Sequence, residues 1–153
     1  MPPRRRDRDQ TSIPELMRAA RGSYKRGVDA ELAARGIVDL PRSAGFVLAL
    51  LDAGSESVEE IVRGLGVTKQ AFSQLIDALV TRGYVLRGQH PQDRRRIVVQ
   101  LSDRGRIAAT AVATGAKAID DRLRQELTAA ELRGLRKGLA VLGEIKESFG
   151  EHR

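Results

Sequence analysis

Three consecutive arginines, Arg94, Arg95 and Arg96, follow Asp93 in the stretch GQHPQDRRRIVVQLSDRG, residues 88–105. A guanidinium is always charged, donates in a fixed fork and sheds water readily, so arginines grouped this way suit phosphates and groove edges. They belong to a wider bias. From Thr81 to Arg106 seven basic side chains (Arg82, Arg87, Arg94, Arg95, Arg96, Arg104, Arg106) stand against two acids, Asp93 and Asp103, a local net of +5. The whole chain carries +7 with a pI near 10.5, so most of its excess charge sits in this one stretch. An anionic partner is the chemistry implied. A second group lies just upstream. Lys69, Gln70, Ser73, Gln74 and Asp77 recur at helical spacing, and side chains of these types hydrogen-bond base edges and phosphates.

Other chemistries find little support. There are no cysteines and two histidines, His90 and His152, which removes thiolate chemistry and argues against a metal site or a cysteine redox sensor. Gly64-Leu65-Gly66 is too short for a nucleotide loop and lies between helices, not after a strand. Glu59-Glu60 and Asp120-Asp121 read as exposed helix positions, and no serine, histidine and acid fall into a catalytic arrangement. No enzyme activity and no cofactor are expected. At 153 residues, with 41% hydrophobic, 31% charged and 3% aromatic residues, the chain reads as one globular domain with a core of Leu, Val, Ile and Ala. No apolar run reaches the roughly 18 residues of a membrane span, and the charged N-terminus lacks the apolar stretch of a signal peptide. A cytoplasmic protein is expected.

The elements that must position the two polar groups are mostly helical. MPPRRRDRDQ mixes proline and charge without hydrophobics, so residues 1–11 are expected to be a disordered basic tail ahead of a single domain, 12–153. Ser12 and Glu15 have capping-box spacing with Pro14 in the first turn, and Ile13, Leu16, Ala20, Tyr24 and Val28 continue a helix to about Ala34. A second helix follows Pro41 with Phe46, Val47, Leu50 and Leu51 and stops at Gly54. Ser57 and Glu60 open SVEEIVRGLG, Gly66 breaks it, and Thr68 caps TKQAFSQLIDALVTRG, which ends at Gly83. Two short helices across a glycine-containing turn make a helix-turn-helix. Its apolar set, Ile61, Leu65, Val67, Phe72, Leu75, Ile76 and Leu79, leaves the polar group outward. Tyr84-Val85-Leu86 and Ile97–Leu101 read as strands around a Gly88–Arg96 loop. A helix-turn-helix followed by a charged hairpin is a winged helix, with the loop arginines beside the recognition helix where a minor groove would lie.

The run LGVTKQAFSQLIDALVTRGYVLRGQHPQDRRRIVVQLSDRG resembles the core of the MarR family of bacterial transcriptional regulators. The features that carry the likeness are LGV before the recognition helix, then Leu79, Gly83, Tyr84, Val85 and Arg87 after it. The wing adds Asp93 and Arg95 as D-x-R, followed by Leu101, Ser102 and Gly105. The motifs cover roughly residues 57–106, and Val62 departs from the pattern, which has a smaller alanine there. The resemblance implies a winged helix-turn-helix lobe, residues 57–101, reading double-stranded DNA. Thr68, Lys69, Gln70, Ser73 and Gln74 would serve on the recognition helix, and Asp93, Arg94, Arg95 and Arg96 on the wing. It also implies a homodimer, and a small aromatic or phenolic effector in a cleft lined by Met17, Arg21, Tyr24 and Phe46.

The chain ends support a dimer independently. A long helix from Ser102 carries Ile107, Ala108, Ala111, Val112, Ile119, Leu123 and Leu127. Thr128 and Glu131 then start a last helix whose Leu132, Leu135, Leu139, Leu142, Ile145 and Phe149 recur at 3, 4, 3, 3 and 4, a coiled-coil-like stripe. Residues 12–35 and 102–149 are therefore the expected dimerisation helices, Leu132, Leu135, Leu139 and Leu142 the seam. The fold class is mainly α with a small β wing. The expected function is a ligand-responsive repressor on a palindromic operator. The alternatives are an architectural protein coating DNA without sequence preference, or a winged-helix protein-interaction adaptor.

Overall fold

The computed structural model describes residues 11–54, 62, 67–90 and 93–148, with the backbone alone at 89, 90, 93–97 and 146–148. Apart from Val62, the expected helix opened by Ser57 and Glu60, with Ile61 and Leu65, lies outside the described residues, as do the tail up to Gln10 and Phe149. Described residues form α1 (Ile13–Ala34), α2 (Ala44–Asp52), α3 (Lys69–Thr81), β1 (Val85–His90), β2 (Asp93–Leu101), α4 (Asp103–Glu126) and α5 (Ala129–Ser148). The two strands make one antiparallel sheet. The fold is mainly α with a small β wing, the class expected.

Local chemistry explains the boundaries. Thr68 caps α3 by accepting from the Ala71 N–H at 3.1 Å. Gly83, at φ +73°, ends the same helix in the left-handed conformation, and the Tyr84 N–H reaches back to the Leu79 carbonyl at 2.9 Å. Leu79 and Tyr84 are both fully buried, which supplies the apolar contact that accompanies such an ending. At α1 the expected capping box is incomplete. The Ser12 hydroxyl bonds the Glu15 carboxylate at 3.1 Å and caps no helix N–H, while Pro14 in the first turn removes one donor that needed a partner. At α5 the box is complete. The Glu131 carboxylate accepts from the Thr128 N–H at 2.7 Å, and the Thr128 hydroxyl accepts from the Glu131 N–H at 3.3 Å.

Two compact units divide the chain, Met1–Ala116 and Lys117–Arg153. The first holds the core. Val47 and Leu48 of α2, Phe72, Ile76 and Leu79 of α3, Tyr84, and Val85, Val99 and Leu101 of the sheet are buried together with Ala108, Ala109 and Ala111 of α4. Val62 and Val67 pack against them half-buried. Each such aliphatic side chain contributes about 1.5–3 kcal/mol when taken fully from water. With so few aromatics, the unit closes by bringing backbones near. A Cβ on Gly105 would lie 1.9 Å from the Tyr84 carbonyl oxygen, and one on Gly115 would lie 2.5 Å from the Gly27 carbonyl oxygen. Both are contacts that no Cβ tolerates, so α4 rests directly on the joint before β1 and on α1. In the second unit α5 buries none of its described side chains.

Candidate nucleic-acid interface

The sequence of α3 dictates two faces. Phe72, Ile76 and Leu79 recur at four and three residues and are buried. Thr68, Lys69, Gln70, Ser73, Gln74 and Asp77, on the other face, are all exposed. Lys69, Gln70, Ser73, Gln74 and Thr68 together offer one cation, two amides and two hydroxyls on a helix seated on buried apolar residues. Asp77 is not free for bases: its carboxylate pairs with the Arg87 guanidinium on β1 at 2.7 Å, tying the helix to the wing's first strand.

The wing differs from the expected strand–loop–strand. Residues 88–90 and 93–96, expected in a loop, belong to strands, and the pairing is regular from Val85–Leu101 to Gln89–Ile97. The next pair is His90 with Asp93, so the ladder steps over Arg94, Arg95 and Arg96. Between these two pairs β2 thus carries three residues more than β1, a register irregularity of the bulge type. The apolar run that made Ile97–Leu101 legible as a strand ends where the arginines begin, and charge gave no signal that pairing resumes beyond them.

A cluster that sequence reasoning missed sits where α3 meets β1. The Tyr84 ring is buried and its hydroxyl donates to the Asp39 carboxylate at 2.5 Å. Arg104 of α4 donates to the same carboxylate oxygen at 2.7 Å and to the Arg82 carbonyl at 2.5 Å, its guanidinium 4.4 Å over the Tyr84 ring. Arg82 in turn donates to the Asp39 carbonyl at 2.6 Å. Ser102 completes the joint. Its hydroxyl accepts from the Gly105 N–H at 3.0 Å and donates to the Gly83 carbonyl at 2.6 Å. The hydrogen bond from Tyr84, aided by Arg104 and Arg82, holds the Asp39 carboxyl below its usual value. Burial, then the bond to Asp39, pushes the Tyr84 phenol up to about 12. Among the described side chains of this stretch, Arg82, Arg87, Arg104 and Arg106 have partners within the protein, Arg106 pairing with Asp103 at 3.0 Å.

The other expected site residues are spread more widely. Met17, Arg21 and Tyr24 fall four and three residues apart on α1, the first two exposed and Tyr24 half-buried, while Phe46 is exposed on α2. Leu135, Leu139 and Leu142 are exposed on α5, and Leu132 is half-buried.

Comparison with known proteins finds one family model, that of the MarR family, matching residues 38–96. FabT of Streptococcus pneumoniae, solved in complex with DNA, is similar over 90% of this chain and 96% of its own, at 21% identity and a TM-score of 0.71. The YusO protein of Bacillus subtilis is similar at 27% identity over 88% of this chain and 99% of its own, with a TM-score of 0.54. A MarR family protein of Mycobacterium tuberculosis, solved with p-aminosalicylic acid, is 25% identical over 87% of this chain and 99% of its own, with a TM-score of 0.56. Among curated protein sequences none matches.

Proposed function

We propose that this chain is a regulator of the MarR type, a sequence-specific repressor binding a palindromic operator as a homodimer; the family model over residues 38–96 and the likeness to FabT support that reading. The observation that carries the reading is the exposed polar face of α3, capped by Thr68 and seated on Phe72, Ile76 and Leu79. Such a helix enters a major groove and presents Lys69, Gln70, Ser73 and Gln74 to base edges, while Arg94, Arg95 and Arg96 serve the flanking minor groove. The DNA complex of FabT supports this use of the fold.

A homodimer covers the exposed leucines of α5 and sets two α3 helices about one helical turn apart, roughly 34–36 Å. A small aromatic effector acts through Met17, Arg21, Tyr24 and Phe46, with Arg21 as the cation for an acidic group. The aminosalicylate complex of the mycobacterial relative supports that ligand class. No helix among the described residues is long and apolar enough to cross a membrane.

Selecting fragments of the source genome on the purified protein tests the proposal. The expected result is a small set of two-fold symmetric sites, each protected over two successive major grooves. Uniform retention of all sequences would replace the regulator with an architectural DNA-coating protein.

A further inference from the structure

The joint at residues 82–84 is where the direction of the wing is set relative to α3. The helix stops at Thr81, β1 starts at Val85, and only Arg82, Gly83 and Tyr84 lie between them. Each of the three is gripped by a segment distant in sequence. Asp39, before α2, accepts from the Tyr84 hydroxyl and, through its carbonyl, from Arg82. Arg104 holds the Arg82 carbonyl, stacks on the Tyr84 ring and closes the circuit by pairing with Asp39. Ser102 holds the Gly83 carbonyl, and its N–H donates to the Tyr84 carbonyl at 3.1 Å.

We propose that Asp39 and Arg104, acting through Tyr84, are positioning residues that fix the angle between recognition helix and wing, so that DNA affinity depends on them although neither touches DNA. The inference rests on the DNA-binding reading above. Two observations favour positioning over a simple role in stability or in phosphate binding. The Asp39 and Arg104 side chains are 40% and 46% exposed, a setting in which an ion pair adds little to global stability. And two of Arg104's donors already have protein acceptors, at 2.5 and 2.7 Å, with its face covered by Tyr84. Charge counting along the sequence groups Arg82 and Arg104 with the basic residues that imply an anionic partner. The geometry assigns them to the joint.

The test uses the full chain with Asp39→Asn, Arg104→Gln and the double variant, and Tyr84→Phe in case the Arg104 variant does not fold. Amide exchange on the free protein is measured first, and Tyr84 and Val85 should exchange faster in every variant with little change in melting temperature. Affinity for the selected operator is then read by anisotropy at several salt concentrations. Each single variant should bind roughly five- to tenfold more weakly, the double variant no worse than the weaker single, as expected within one contact network. The log-affinity against log-salt slope should stay that of the wild type. Wild-type affinity in Asp39→Asn and Tyr84→Phe overturns the proposal. So does a slope smaller by about one unit in Arg104→Gln, which would make Arg104 a phosphate contact. Unchanged amide exchange alongside weakened binding also overturns it. A wild-type protein that binds no duplex sinks the DNA reading and the proposal with it, whereas weak variants of a competent wild type cannot be blamed on that reading.

Discussion

α3 and α5 contain the same kinds of apolar residue at the same helical spacing, yet their fates are opposite. Phe72, Ile76 and Leu79 of α3 are 4%, 2% and 0% exposed. Leu135, Leu139, Leu142 and Ile145 of α5 are 42%, 48%, 37% and 45% exposed. The first helix is satisfied by its own chain, against Val47, Leu48, Tyr84, Val85 and Ala108. The second exposes Leu135, Leu139 and Leu142 on a 20-residue helix, and such a stripe favours a partner surface, because monomeric soluble proteins seldom expose large apolar patches. The contrast separates the two regions: α3 buries its apolar face within its own unit, and α5 is where the proposed dimer would find its seam.

That contrast breaks most visibly on α5. Leu135→Glu with Leu139→Glu should remove two buried leucines from a dimer seam, a loss of about 3–6 kcal/mol from association at about 1.5–3 kcal/mol each. Sedimentation should then return the mass of one chain, while the core around Tyr84 keeps its near-ultraviolet signal. A dimer of undiminished affinity would mean that the stripe faces solvent after all.

Glycines sharpen the same comparison, with a smaller effect. An alanine at Gly105 would drive its Cβ into the Tyr84 carbonyl, backbone that has nowhere to move. The expected loss is about 3 kcal/mol, the upper end for overpacking, and a melting temperature lower by roughly 6–12 °C. Gly134 on α5 has nothing within 4 Å of an added Cβ. Gly134→Ala should stabilise by about 0.5–1 kcal/mol through helix propensity alone. If the two substitutions shifted the melting temperature alike, the close approach of α4 to Tyr84 would be wrong.

What sequence made legible, and what it did not, divides by the range of the interaction. Thr68, Gly83, Thr128 and Glu131 act within a turn of their own position, so their spacing announces the helix ends, and all four do what their types imply. The buried triplet of α3 follows from periodicity in the same way. Ser12 shows the limit of that logic: the spacing to Glu15 is right, but the pair bond each other and leave the helix N–H groups alone. The Asp39–Tyr84–Arg104 cluster joins residues 45 and 65 positions apart, a distance at which no local pattern speaks. Arg82 and Arg104 were visible only as charge, and charge says nothing about which acceptor a guanidinium has. The paired residues flanking Arg94–Arg96 were hidden because polar strand residues beside extra, unpaired ones carry no alternation to detect.

In the unit that carries α3 and the wing, the expected effects fall on operator binding, if the proposed function holds. Gln74→Ala should weaken operator binding by about 1–3 kcal/mol and relax preference at one base position, since its amide both donates and accepts. Arg95→Ala should weaken it more than Arg96→Ala, and Asp93→Ala should weaken it too if that acid holds the wing's shape. Electrostatics alone predicts the opposite sign for Asp93, because removing a negative charge near phosphates favours binding. Binding titrations of the four variants on one operator decide between the two, and tighter binding by Asp93→Ala would make the acid a mere counter-charge.

The smallest effect concerns how α5 is started. With no described side chain buried, this helix depends at its N-terminus on the Thr128–Glu131 box, in which the carboxylate accepts from both the Thr128 N–H and its hydroxyl at 2.7 Å. The Thr128 hydroxyl first, then its backbone N–H, hold the Glu131 carboxyl below its usual 4.5. A carboxyl whose pKa is lower folded than unfolded binds fewer protons in the folded state. Its contribution is present above pH 4.5 and is lost as pH falls from there through the lowered folded value. Asp39 and Asp121 shift the same way, Asp39 through Tyr84 and Asp121 through Lys117, but from 3.8, so their losses begin at lower pH. Helicity followed during acid titration should therefore begin to fall just below pH 4.5 in the wild type. In Glu131→Gln that first part of the fall should vanish, while the decline that starts below 3.8 stays. Core packing around Tyr84, read in the near ultraviolet, should not respond to that loss, because Glu131 belongs to α5. An identical acid profile for wild type and Glu131→Gln would show that the box is not what starts this helix in solution.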